Sequence, residues 1–143
     1  MSAVFEPTEP LLPDPEISSL RIPPHSLEAE ASVLGGLLLD NSAWDRVGDM
    51  LTDNDFYRYE HRQVFASVSA LINGSRPADV ITVYEHLQSI GKAEEVGGLA
   101  YLNSLAQYVP SASNIRRYAE IVRERSILRK LVSASDEIAT NAF

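Results

Sequence analysis

Residues 114–143 read NIRRYAEIVRERSILRKLVSASDEIATNAF, and the apolar spacing within this stretch decides what kind of molecule the chain builds. Ile115, Tyr118, Ala119 and Val122 recur at helical intervals and share one face. Ile127, Leu131, Ala134 and Ile138 share another, widened by Leu128 and Val132. The step from Val122 to Ile127 is five residues, which rotates the apolar stripe by well over a right angle on a helix of 3.6 residues per turn. One long helix is therefore expected, capped by Ser113 or Asn114, with two halves that bury against different surfaces. The first half docks on the rest of the chain. The second half has no remaining sequence to dock on, which predicts a continuation of the chain, a second subunit, or both.

Upstream, the helical punctuation is regular. Pro23-Pro24 blocks helix, Ser26 stands as an N-cap, and Glu28 and Glu30 fall in the first turn, where the helix dipole favours acids. Leu27, Ala31, Leu34 and Leu38 then define one face. Asp40-Asn41 ends this helix and caps a second carrying Trp44, Val47 and Leu51. After a turn at residues 52–55, a third helix runs from about Tyr57, burying Val64, Val68, Leu71 and Ile72 and stopping at Asn73-Gly74. Asp79 caps a fourth with Val80, Val83, Tyr84 and Leu87 inside and Gly91 closing it. Gly97-Gly98 opens a fifth with Leu99, Leu102 and Leu105, bounded by Pro110. Residues 80–83 alone are rich in β-branched side chains, and their cap argues for helix. The expected fold class is all-α, a compact domain of about six helices. Residues 1–22, acidic and proline-rich without a period, read as a disordered tail, with Leu11-Leu12 and Ile17 as the alternative of a short binding motif. Residues 23–112 read as a globular head and 113–143 as the long helix.

A chain of 143 residues is one domain's worth, and 45% hydrophobic with 22% charged residues is ordinary for a globular protein. No apolar run reaches spanning length, and the start lacks the basic and apolar regions of a signal peptide, so a cytoplasmic location is expected. The absence of cysteine excludes disulfides and thiolate metal sites. Net charge is −8, and its distribution is uneven. Residues 23–112 hold twelve acids and five bases, whereas 113–143 hold six bases and four acids. So acidic a body repels phosphate backbones, and only the last helix offers a modest basic excess.

A search for catalytic constellations returns little. The only Gly-Lys step, Gly91-Lys92, is followed by alanine and lacks the upstream glycine of a phosphate loop, so it reads as a helix end. His25, His61 and His86 are scattered, without the spacing of a zinc face, and read as structural or surface residues. Asp53-Asn54-Asp55 lacks the glycine and distal glutamate of a calcium loop and reads as a capping turn. Asn73-Gly74-Ser75 matches a glycosylation sequon, without a secretory route to use it. Gly35-Gly36 inside a helix points to a close helix–helix approach. Phe56, Tyr57 and Tyr59 around Arg58 and Arg62 read as core aromatics rather than a stacking platform for single-stranded DNA, given the acids beside them.

Several stretches resemble, in colinear order, the N-terminal domain of bacterial replicative DNA helicases of the DnaB family. They are residues 23–41 (PPHSLEAEASVLGGLLLDN), 55–65 (DFYRYEHRQVF), 79–82 (DVIT), 97–102 (GGLAYL), 109–114 (VPSASN) and 118–125 (YAEIVRER). The resemblance covers about residues 22–143. It implies a parent that is a hexameric, ATP-driven helicase at the replication fork, whose N-terminal domains form a collar, a trimer of dimers, built from a head and a helical hairpin. The long last helix would be the hairpin's first arm. The second arm, the linker and the ATPase motor are not in this stretch. The resemblance therefore implies no unwinding by this chain, no catalytic, metal or cofactor residue in it, and ATP and magnesium only in the motor.

The partners implied are a second copy of the chain and the C-terminal domain of primase, with DNA met only through the complete ring and no membrane. On the family's motifs, the primase-coupling positions fall on Glu28, Tyr101, Val132 and Ile138, with valine at 132 where isoleucine is usual. The self-association face falls on Ile127, Leu128, Leu131 and Ile138, and Val132 and Ile138 have the alternative role of only closing the hairpin between subunits. Two readings follow: an assembly and primase-docking domain, or a module guiding single-stranded DNA into the collar. An enzyme is the third and weakest.

Overall fold

The computed structural model describes residues 22–108 and 114–143. The tail reading for residues 1–21, the Pro110 boundary and the Ser113 cap lie outside the described residues. Within them the chain forms seven α-helices and no strand: α1 (Leu27–Leu39), α2 (Trp44–Val47), α3 (Tyr59–Asn73), α4 (Val80–Ser89), α5 (Ala93–Val96), α6 (Gly98–Gln107) and α7 (Ile115–Ala142). Two 3₁₀ turns, Asn41–Ala43 and Asp53–Asp55, lie between them.

The caps of α1 and α4 are those the sequence announces. The Ser26 hydroxyl accepts from Ala29 N at 3.2 Å, and Asp40 Oδ1 accepts from Ser42 N at 3.0 Å as α1 gives way to the first 3₁₀ turn. Asp79 and Thr82 exchange side chain-to-backbone bonds of 2.8 Å, a capping box that fixes the start of α4. Thr52 and Asp55 form a second capping box, so the 53–55 turn is indeed a cap.

Five expectations change in detail. α1 does not present one apolar face: it is buried around most of its girth from Ala29 to Leu38, because α3, α6 and α7 all pack on it. α2 is only one turn, and Leu51 is buried beyond its end. α3 starts at Tyr59 rather than Tyr57, because the backbone N–H groups of Tyr57 and Arg58 turn instead toward the carboxylate of Glu30. The short α5 precedes α6, separated from it by Gly97 at a φ of 108°, which raises the helix count above six. Asn114 precedes α7 without a side-chain capping bond.

The core gathers Val33, Leu34 and Leu37 of α1 with Val64 and Val68 of α3, Val83 and Leu87 of α4, Leu102 of α6, and Ile115, Ala119 and Val122 of α7. The first half of α7 is thus part of the head's interior. Gly36 makes this possible, since a Cβ there would stand 2.8 Å from Ile115 Cδ1. Gly36→Leu is expected to lower stability by about 2 kcal/mol through overpacking. Gly36→Ala should be close to neutral, because the Ile115 methyl can swing aside and alanine gains up to about 1 kcal/mol of helix propensity. Thermal melts of both variants check this.

Candidate docking site

A relay of polar side chains lies beneath one side of the head. Glu30 and His61 are each 1% exposed. The Glu30 carboxylate accepts from the backbone N of Tyr57 at 2.7 Å and of Arg58 at 3.4 Å, and His61 Nδ1 stands 2.7 Å from its Oε1. On the other side of the imidazole, Nε2 stands 2.6 Å from the Tyr101 hydroxyl. Tyr101 is half-buried, and the Arg58 guanidinium lies 5.1 Å above its ring. Burial raises the Tyr101 phenol above its ordinary range, with Glu60 and Glu30 adding to the effect and Arg58 opposing it. These residues open into a shallow notch lined by Leu27, Glu28, Ala31, Arg58, Tyr101 and Tyr108. The structure therefore brings Glu28 and Tyr101 together.

A second polar cluster fastens α7. Asp55 Oδ1 accepts from the Ser126 hydroxyl at 2.6 Å and from Arg123 Nη1 at 2.9 Å. Arg129 reaches past it to the carbonyls of Pro24 at 2.8 Å and Asp55 at 2.7 Å, and lies over the Tyr57 ring. Burial works to raise the Asp55 carboxyl, but the bonds from Ser126, Thr52 and Arg123 outweigh it and hold the group below the usual carboxylate range. The docked face of α7 therefore continues beyond Val122 through Ser126 and Arg129, in polar rather than apolar contact. That continuation has no hydrophobic signature in the sequence. The i, i+4 and i, i+7 spacing of Ser126 and Arg129 from Val122 was the available signal.

Beyond this clamp α7 leaves the head, and every residue from Lys130 to Phe143 is exposed. Ile127, Leu131, Val132 and Ile138 are 49%, 62%, 47% and 70% exposed, and Leu128 is similarly bare. Val132 borders a groove between the 22–24 segment and α7, together with Lys130, Ser133 and Asp136. Ile138 lies outside it. The four positions expected from the family's motifs to couple to primase thus occupy separate places: Glu28 and Tyr101 at the notch, Val132 at the groove, Ile138 on the bare helix.

Among the remaining candidates, Phe56 is core, packed on Phe65. Tyr57 is not core but stacks on His25 at 4.3 Å, and Tyr59 is exposed and bonded to Glu95. The core-aromatic expectation holds for one of the three. His86 pairs with Ser67 at 2.8 Å. Gly91-Lys92 follows the end of α4, with Lys92 N bonded to Leu87 O at 2.8 Å. Among the described residues no group of three or more His, Asp or Glu is placed to hold a metal ion, and no helix is long and apolar enough to cross a membrane. Much of the basic excess of α7 is engaged internally: Arg117 pairs with Glu120 at 3.2 Å and Glu124 at 3.3 Å, and Arg123 with Asp55.

The family described as the DnaB-like helicase N terminal domain matches residues 22–124. Among curated relatives, the replicative DNA helicase DnaB of Haemophilus influenzae is 44% identical over 130 residues, 91% of this chain and 28% of the relative. That of Pasteurella multocida is 48% identical over 122 residues, 85% of this chain and 26% of the relative. The chain spans little more than a quarter of the length of the relatives it matches. Among solved structures, the N-terminal domain of DnaB helicase from Mycobacterium tuberculosis superposes with a TM-score of 0.81 at 41% identity, covering 82% of this chain and 84% of that one. The N-terminal domain of DnaB helicase from Helicobacter pylori, described with its interactions with primase, shares the fold at a TM-score of 0.70 and 24% identity, over 91% of this chain and 98% of that one.

Proposed function

Since the chain belongs to the DnaB-like helicase N-terminal domain family, we propose that it serves assembly and docking in a replicative helicase. In this reading copies of it associate in pairs, three pairs forming the collar of a hexameric ring, and the collar recruits the C-terminal domain of primase. Unwinding, ATP and magnesium belong to the motor of the parent protein, in the cytoplasm at the fork, and DNA is met through the complete ring.

The observation that carries the reading is the bare outer half of α7. Five large apolar side chains stand in solvent over three turns of one helix. An isolated helix gains little from such exposure, whereas an apolar face of this extent marks a protein–protein contact. The internal pairing of its arginines speaks against a DNA grip. The Helicobacter pylori neighbour supports primase as the partner only through shared fold, so the primase assignment rests on the family.

Val132→Asp is expected to weaken self-association or primase binding by about tenfold or more, and Ile138→Ala by a few-fold, with the helical content unchanged because both sites are exposed. Titration with a primase C-terminal domain and mass in solution measure the two effects. Unchanged affinity and unchanged mass in both variants would remove the proposal. Steep loss of binding with salt, on an oligonucleotide rather than on primase, would favour the DNA-guiding reading instead.

A further inference from the structure

We propose that Glu30 and His61 are positioning residues that fix the Tyr101 hydroxyl as a hydrogen-bond acceptor at the notch, so that the primase group docking there is a donor. The inference rests on the primase reading above for the identity of the partner, and on the relay itself for its chemistry.

Two backbone N–H groups, those of Tyr57 and Arg58, point at the Glu30 carboxylate, and a carboxylate so placed acts as an acceptor. At 2.7 Å from Oε1, His61 Nδ1 is then the donor, and carries the ring proton. In the neutral ring the lone pair is then on Nε2, and the Tyr101 hydroxyl, 2.6 Å away, donates to it. The single proton of Tyr101 is engaged inward. What its oxygen offers the notch is lone pairs. Glu28 on the same rim offers a carboxylate, again an acceptor, while Arg58, whose Nε is bonded to Glu60 at 3.1 Å, lies over the face of the Tyr101 ring. An ammonium, guanidinium or amide N–H on primase satisfies this pair of acceptors. A carbonyl or carboxylate set against the Tyr101 oxygen does not.

Glu30→Gln tests the polarity without emptying the site. The glutamine oxygen takes the place that accepts from Tyr57, and its amide nitrogen then faces His61 Nδ1 as a donor, giving up only the long 3.4 Å bond from Arg58 N. The ring proton must move to Nε2, which donates to Tyr101, and the tyrosine proton turns outward. A donor on primase then meets a donor.

The experiment has two arms on the whole chain. Nitrogen-15 NMR of the His61 ring, which needs neither variant nor partner, is expected to show a protonated Nδ1 and a bare Nε2. A proton on Nε2 overturns the relay. In titrations with the primase C-terminal domain, Tyr101→Phe is expected to weaken binding about tenfold, and Glu30→Gln at least as much with a melting curve close to the parent's. Added to Tyr101→Phe, Glu30→Gln should cost nothing more, because it acts only through that hydroxyl. Additive losses overturn the positioning role, as does binding unaffected by Tyr101→Phe. If the parent chain fails to bind primase while His61 shows the expected tautomer, the docking reading fails and takes the donor selection with it. Should Glu30→Gln not fold, the His61 tautomer and Tyr101→Phe still decide the matter.

Discussion

Asp55→Ala is expected to lower the unfolding free energy by about 3 kcal/mol at neutral pH, the cost of leaving several buried or half-buried donors without their acceptor. Ser126, Arg123 and the backbone N–H of Thr52 all converge on this carboxylate, which is itself fully buried. Its contribution has a defined pH dependence. The folded state holds Asp55 below its ordinary value of 3.8, so the stabilisation is complete above that value and fades as pH falls through the lower, folded value. Urea unfolding of parent and variant at neutral pH and in acid measures the gap. It should be widest at neutral pH and close in acid. A constant gap would mean that packing, not charge, accounts for the effect.

Glu30→Ala is expected to be more severe, about 3–5 kcal/mol, because it strands a fully buried imidazole and two backbone N–H groups at once. The damage should spread to a specific place. With the Tyr57 and Arg58 amides released, the segment leading into α3 loses what holds it extended, and those two amides should lose protection in hydrogen exchange ahead of the α3 core. Protection lost uniformly along α3 would contradict the assignment of Glu30 as the local anchor.

How much of this was legible beforehand follows a physical division. Ser26, Asp40, Asp79 and Gly74 announce helix ends because capping acts over three or four residues, within reach of a sequence pattern. The rotation between Val122 and Ile127 likewise foretold that α7 leaves the head midway, since periodicity is a local property. Gly36 signalled a close approach, although not that Ile115 was the neighbour. The polar network was invisible for the opposite reason. Glu30 and His61 are 31 residues apart, His61 and Tyr101 40, and Asp55 and Ser126 71. Nothing in the spacing of such residues joins them. Glu30 reads as an ordinary first-turn acid and Asp55 as part of a capping turn, and neither reading foretells that the fold buries both. The family's motifs named Tyr101 and Glu28 as coupling positions, but not the relay that orders one of them.

The clamp at Asp55 has a mechanical consequence. α7 is seated in the head at Ile115, Ala119 and Val122, gripped at Ser126 and Arg129, and then projects for thirteen residues from Lys130 to Ala142. At about 1.5 Å per residue this overhang is roughly 20 Å long. It is a cantilever with its fixed end at a polar joint. Force applied at Ile138 acts on Asp55 with the leverage of that arm, and the joint resists through directional bonds to the Asp55 carboxylate and the Pro24 carbonyl rather than through packing that slides. The root of the rod is thus the segment that carries, just beyond Phe56, the Tyr57 and Arg58 amides tied to the relay under the notch.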